Sequence, residues 1–328
     1  MDFRLTDEQR ALRNGVRELL AGRFGRDALR AAVGREGTVD RALWRELGEA
    51  GFFSLRVPEA DGGVGLGLPE AVLAFEEAGR ALLNGPLVAT HLAATGGVPG
   101  AADGGRVVTC DTQLPGFIPH FADADVSVAL HGASMEGRST DGRSLQARPL
   151  QARSMRVRYP KDLPTARPAR SMDPLTPLHR IPGAARTAPP RPDAVLLTAA
   201  EQLGSAARTT EMAVQYAKER EQFGRPIGGF QAVKHLCAQM LVRTEVSRSA
   251  VYAAAVTEDF TEIAGAKLLA DEAAVRNARD CLQVYGGMGF TWEADVHLHL
   301  KRAWLRGAMW LTASEAEEIQ AEALASAL

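Results

Sequence analysis

Glu211 to Ala255 reads EMAVQYAKEREQFGRPIGGFQAVKHLCAQMLVRTEVSRSAVYAAA. The stretch divides into a helix, a sharp break at Phe223-Gly224-Arg225-Pro226, and a second long helix. Leu196, Ala200, Leu203, Ala207, Thr210 and Val214 recur at alternating steps of four and three, which predicts one buried face on the first helix. Gly224 is expected to stop that helix, and Pro226 to prevent its resumption. The second helix is expected from Phe230 onward, through Val233, Cys237 and Met240.

Helical signals dominate on both sides of this stretch. Towards the C-terminus, Leu268, Val275 and Leu282 recur every seven residues and mark a third long helix running into Gly286-Gly287. Ser314-Glu315-Ala316-Glu317 has the pattern of a capping box opening a last helix. Together these predict four long antiparallel helices in a bundle. Towards the N-terminus, Thr6-Asp7-Glu8-Gln9 has the Thr-x-x-Gln capping pattern, and Leu12, Val16, Leu19 and Leu20 mark a buried stripe. Asp40 to Trp44 opens another helix ending near Gly51, and Pro69 to Leu83 forms a further one. Between them, Val57 to Gly65 is rich in glycine. No Gly-Lys-Ser/Thr follows and no strand precedes it, so it reads as a tight connection and not as a phosphate loop.

The texture changes at Arg106. Val107 to Cys110, Val126 to Leu130 and Met155 to Tyr159 read as short strands. Arg138 to Pro192 holds 12 Lys or Arg against three Asp, and ten of the chain's 17 prolines. Strand interiors do not tolerate that much proline, so this part is expected to be loop-rich. Its basic charge fits a solvated surface or, alternatively, a wall facing an anion.

With 328 residues the chain can form two or three sub-domains. It is 46% hydrophobic and 24% charged with a net charge of -2, which suits a soluble globular protein and gives no sign of a nucleic-acid or anionic-membrane partner. Cys110, Cys237 and Cys281 are odd in number and far apart, without a Cys-x-x-Cys, which argues against a disulfide framework or a zinc site. No apolar run approaches a membrane span, and the first residues carry helix signals and no signal-peptide core. A cytoplasmic location is expected.

Two blocks carry a resemblance. Arg220-Glu221-Gln222-Phe223-Gly224, followed by Phe230-Gln231, is similar to the Arg-x-x-Phe-Gly … Phe-Gln signature of the acyl-CoA dehydrogenase family. Gln283-Val284-Tyr285-Gly286-Gly287-Met288-Gly289-Phe290 resembles that family's Gln-x-x-Gly-Gly-x-Gly-Phe/Tyr segment. The blocks stand in the family's order and at about its spacing. The resemblance implies a fold that is mainly α with a small β-domain (α+β): an N-terminal helical domain over 1–105, a shortened β-domain over 106–192 and a helical bundle over 193–328. It also implies FAD as cofactor and an acyl-CoA thioester as substrate, which loses its α-proton to a carboxylate and its β-hydride to the flavin. The implied FAD-binding residues are Arg220, Phe223, Gly224, Gln231, Gln283, Gly286 and Gly287, touching one FAD from two subunits. An arginine fork suits phosphate oxygens, and a Gly-Gly pair lets backbone approach a ligand closely. Without the resemblance, Arg220 reads as a helix-end cation, Phe223 as a core plug and the glycines as a plain turn.

Several family features are missing. The flavin-lining Thr-Glu-Pro-x-x-Gly-Ser-type and Trp-Ile/Val-Thr segments are absent, and no Trp lies between Trp44 and Trp292. One usual place for the catalytic glutamate corresponds to Arg306 to Thr312, which holds no carboxylate. The other falls at Ala194, beside Asp193. Asp193 is one methylene short and one residue displaced, and Glu201 and Glu211 stand on the wrong turns, so Asp193 and Glu201 are the candidates that remain. His297 with His299, and Glu293 with Asp295, are two apart and diverge on a helix, which argues against a metal pair. No Gly-x-Ser-x-Gly argues for a hydrolase.

The combination resembles the short subunit of actinobacterial α2β2 acyl-CoA dehydrogenases of steroid-CoA degradation, in which a larger homologous subunit supplies the base. The competing expectations are a self-sufficient dehydrogenase with a relocated base, a flavin-free binding or scaffold protein, and a flavin monooxygenase or oxidase.

Overall fold

The computed structural model describes residues 4–130, 155–159, 165–181 and 190–327. The first third of the chain is helical: α1 Asp7–Arg23, α2 Arg26–Gly34, α3 Arg41–Glu49, α4 Leu68–Arg80 and α5 Leu87–Thr95. The Thr6 hydroxyl accepts from Gln9 N at 3.1 Å while the Gln9 side chain accepts from Thr6 N at 3.1 Å, so the expected capping box starts α1. Asp40 caps α3 without a reciprocal bond, its carboxylate accepting from Ala42 N at 2.9 Å and Leu43 N at 3.3 Å. The glycine-rich loop is a tight connection. Gly62 and Gly65 have φ of 79° and 72°, and a Cβ on Gly63 would lie 2.1 Å from the Val57 carbonyl.

The middle of the chain forms two small sheets. In the first, β1 Val108–Cys110 lies parallel to β3 Val126–Leu130, which pairs antiparallel with β4 Met155–Arg158. The second has the order β2 Phe117–Pro119, β6 Leu178–Arg180, β5 Arg167–Ala169, and sequence patterning does not reveal it. Three residues are too few to show alternation. Its prolines, Pro119 and Pro168, sit on the two edge strands, where no ladder N–H is lost. Much of the proline-rich basic stretch from Arg138 to Pro192 lies outside the described residues.

The rest is a bundle of α6 Pro192–Glu219, α7 Gln231–Thr257, α8 Phe260–Tyr285, α9 Val296–Gly307 and α10 Ala313–Ala327. In place of four long helices there are three of 26 to 28 residues and two of 12 and 15. Helix α6 is the hub, packed by α4, α7, α8 and α9. It does not bury a single stripe: Ala194 through Ala206 are buried all round, and Ala207 and Val214 are only partly covered. Helix α10 is capped two residues earlier than the sequence suggests. Thr312 N donates to the Glu315 carboxylate at 2.8 Å, and Glu315 N donates back to the Thr312 hydroxyl at 3.4 Å.

Gly224 is not a helix stop. Helix α6 ends at Glu219, where Arg220 N still donates to Tyr216 O at 2.8 Å. A two-residue hairpin follows, β7 Glu221–Gln222 with β8 Arg225–Pro226. Phe223 and Gly224 form its loop with φ of 53° and 74°, both left-handed, as right-twisted strands require of a two-residue turn. Ile227 N closes the excursion on Arg220 O at 2.8 Å.

The bundle buries charge as well as apolar surface. Lys267 is 1% exposed and its ammonium is paired with Asp271, with a further bond to Arg306 O at 3.2 Å. Gln202 fixes the other Asp271 oxygen at 2.9 Å. Removing the carboxylate leaves a buried, unpaired ammonium. Asp271→Ala is therefore expected to destabilise by about 3–5 kcal/mol. Chemical denaturation would check this, and a loss of less than about 1 kcal/mol would refute it.

Candidate functional site

Helices α6 and α8 run in the same direction, so their C-terminal ends meet at one end of the bundle. Tyr216 and Tyr285 stack there at 4.1 Å, joining the two signature blocks. A separate core of Ala213, Met240, Cys281, Leu282 and Val296 supports this tip. The residues beyond it face outward. Arg220, Gln231, Gln283 and Gly287 are exposed, and Phe223 is 91% exposed. Phe223 meets Phe230 edge-on at 6.0 Å, and the Arg225 guanidinium lies 4.2 Å over the Phe230 ring.

Gly286 has φ 59° and ψ −138°, a conformation open to glycine alone, and its N–H closes α8 on Gln283 O. A Cβ on Gly224, Gly286 or Gly287 would meet nothing within 4 Å. Packing within this chain therefore does not require glycine at Gly287. The tip offers a guanidinium, an aromatic face, two amide side chains and unobstructed backbone, a donor set suited to a ligand with phosphates and rings. Met288, Phe290 and Trp292 add exposed apolar surface beside it.

The two carboxylate candidates lie elsewhere. Asp193 is in the first turn of α6, at the far end from the tip. Arg191 grips both of its oxygens at 3.0 and 2.6 Å, and Arg56 adds a contact at 3.3 Å. Burial alone would raise its pKa, but the Arg191 and Arg56 charges prevail and hold it at about 2. Such a carboxylate anchors the helix start and is a very weak base.

Glu201 is two turns further along. Its Oε1 accepts from Arg306 Nη2 at 2.7 Å, and burial raises its proton affinity against the pull of Arg306 and Arg302. It is about 28 Å along the helix from Arg220 at 1.5 Å per residue. Tip and carboxylate thus do not share one pocket in this chain.

Glu201 borders a cavity of about 40 Å³ between α6, α9 and the second sheet. Arg302, Arg306, Thr198, His120 and Trp310 also line it. Trp310, from the segment that matches the first family position for the base, is 3% exposed, and its backbone N–H donates to Gln113 O at 2.7 Å. Sequence reasoning names Glu201 but misses the arginines that meet it. The available signal was the placement of Arg302 and Arg306 on the same stripe of α9 as Leu298 and Leu305.

His299 is buried with Nδ1 2.8 Å from the Ser205 hydroxyl, and His297 stacks on Trp292 at 4.8 Å. Among the described residues no group of three or more His, Cys, Asp or Glu is placed to hold a metal, and no helix is long and apolar enough to cross a membrane.

Comparison with known proteins gives concordant matches. The family profile for the acyl-CoA dehydrogenase N-terminal domain matches residues 6–99, and that for the C-terminal domain matches residues 195–328. Acyl-CoA dehydrogenase IpdE2 of Mycobacterium tuberculosis is 35% identical over 313 residues, covering 90% of this chain and 91% of that protein. Acyl-CoA dehydrogenase FadE34 of the same organism is 36% identical over 91% of this chain, which spans 45% of FadE34. Among solved structures, the ChsE4-ChsE5 complex from Mycobacterium tuberculosis superposes with a TM-score of 0.75 at 24% identity over 99% of each chain. The Tcur3481-Tcur3483 steroid ACAD gives a TM-score of 0.78 at 24% identity over 98% of each chain. These superpositions speak to the fold.

Proposed function

We propose, from the premise that this chain belongs to the acyl-CoA dehydrogenase family, that it is one subunit of a heteromeric, FAD-dependent acyl-CoA dehydrogenase acting on a bulky, steroid-derived acyl-CoA. Its partner is a larger homologous subunit in an α2β2 complex. The tip carries this reading. Phe223 and the Gly286-Gly287 backbone suit a covering ligand, and none of the described residues covers them. The exposed apolar positions Leu241, Val242, Val246 and Val256 on α7 also support a protein partner.

The residues fit one end of FAD. Arg220 would neutralise phosphate, Phe223 would cover a ring face, and Gln231 and Gln283 would orient the group by hydrogen bonds. Bound FAD supplies the hydride acceptor. The carboxylates at the tip, Glu219 and Glu221, are exposed beside Arg220 and correspond to neither family position for the base, so the base is assigned to the partner. The ChsE4-ChsE5 complex supports the heteromeric assembly by analogy, and the Tcur3481-Tcur3483 steroid ACAD supports the substrate class in the same way.

Co-purification with a neighbouring larger homologue, followed by the visible flavin spectrum, tests the reading. Yellow colour only in the complex is expected. Arg220→Ala should weaken FAD binding about tenfold or more, the worth of a charge-assisted hydrogen bond. Undiminished flavin in that variant would refute the role of Arg220.

One observation favours a second reading, a self-sufficient enzyme. Glu201 borders a cavity and has the raised proton affinity of a poised base. In that case the chain alone should be yellow and bleach with acyl-CoA, and Glu201→Gln should abolish the bleaching.

A further inference from the structure

The cavity beside Glu201 has hydrogen-bond donors that the described residues leave unused. Arg302 and Arg306 stand one turn apart on α9, each 3% exposed. Arg302 gives Nε to Asp173 and Nη1 to Leu83 O, and its Nη2 has no partner among the described residues. Arg306 gives Nη2 to Glu201, and its Nη1 has no partner. The hydroxyl of Thr198, 1% exposed, is likewise unpaired. All three residues line the same 40 Å³ space, which is about three times the minimum that admits one water.

Buried polar atoms are ordinarily satisfied, and an orphaned guanidinium N–H is costly. Two guanidinium groups and a hydroxyl make the wall rich in donors. The matching ligand is small and made of acceptors. We propose that this cavity binds a small oxyanion, a free carboxylate or a nitrate-sized group, held by Arg302 Nη2, Arg306 Nη1 and the Thr198 hydroxyl. Asp173 and Glu201 already balance the two arginines, and Asp123, Lys267 and Asp271 stand behind them. Selectivity therefore rests on donor geometry and not on excess positive charge, and the expected binding is weak.

The site does not depend on the shared-flavin reading, because the probes below are applied to flavin-free protein. Crystals of the full chain soaked in sodium bromide should show an anomalous peak within hydrogen-bond reach of both arginines. In solution, sodium nitrate should raise the melting temperature by roughly 2 °C or more at saturation, with gluconate, too large for the cavity, holding ionic strength constant. Thr198→Val, close in shape, should weaken nitrate binding roughly fivefold, the worth of one hydrogen bond. Water alone in the cavity, or a nitrate shift that Thr198→Val leaves unchanged, would overturn the proposal.

Discussion

Gly204→Ala is expected to lower the melting temperature by roughly 4 °C, with about 3 kcal/mol of stability lost. Helices α4 and α6 cross at a pair of glycines. A Cβ at Gly204 would lie 1.8 Å from the Glu76 carbonyl oxygen, and one at Gly79 would lie 2.0 Å from that of Glu201. Both obstacles are helix backbone, which cannot turn aside as a side chain does, so a single methyl group must push two helices apart. The crossing also holds Glu201 against Arg306. The effect should therefore exceed ordinary overpacking of a core. Gly15 in α1 is the control. Nothing lies within 4 Å of its Cβ position, so Gly15→Ala should stabilise by about 0.5–1 kcal/mol through helix propensity. Thermal denaturation of both variants decides the matter. Equal, small effects at the two positions would show that the close approach of α4 and α6 is not a constraint.

The second large effect is acid sensitivity. His91 and His299 are both fully buried. His91 stands edge-on to Phe75 at 5.3 Å; burial, helped by the Arg56 charge, pushes its pKa down to about 4. For His299, burial and then the charges of Arg208 and Arg306 push it to about 3. Unfolded chains bind these protons near pH 6.5. The folded state therefore loses stability as pH falls below 6.5, and the loss continues down to the folded values. At pH 5 each ring costs about 2 kcal/mol, or about 4 kcal/mol together. Glu76, Glu201 and Asp271, whose proton affinities are raised by burial, act in the opposite direction in acid. A variant isolates the histidine contribution: the stability lost between pH 7.5 and 5 should be about 2 kcal/mol smaller in His91→Leu than in the parent chain. Parallel pH profiles for the two proteins would rule the explanation out.

The sequence by itself determined whatever depends on neighbours along the chain. Helices α1, α7 and α8 show as periodic apolar positions, and the Thr6 and Asp40 caps show as local patterns, because both arise within a turn or two of one helix. The two signature blocks are legible for the same reason, since each occupies one helix end. Where the local chemistry admits two conformations, the sequence misled: Phe223-Gly224 serves a helix stop or a hairpin turn equally well, and closure of Ile227 on Arg220 decides for the hairpin.

Only the tertiary structure decided the rest. The all-round burial of α6 comes from α4, α8 and α9 closing on it, which no periodicity within α6 foretells. Asp193 is held mainly by its chain neighbour Arg191, and folding adds only the second contact, from Arg56 in a distant loop. The cavity unites Glu201 with Arg306 across 105 residues of chain, and Arg302 with Asp173 across 129. Pairings over such distances depend on how helices pack and on which buried charges must find partners, and those conditions exist only once the chain has folded.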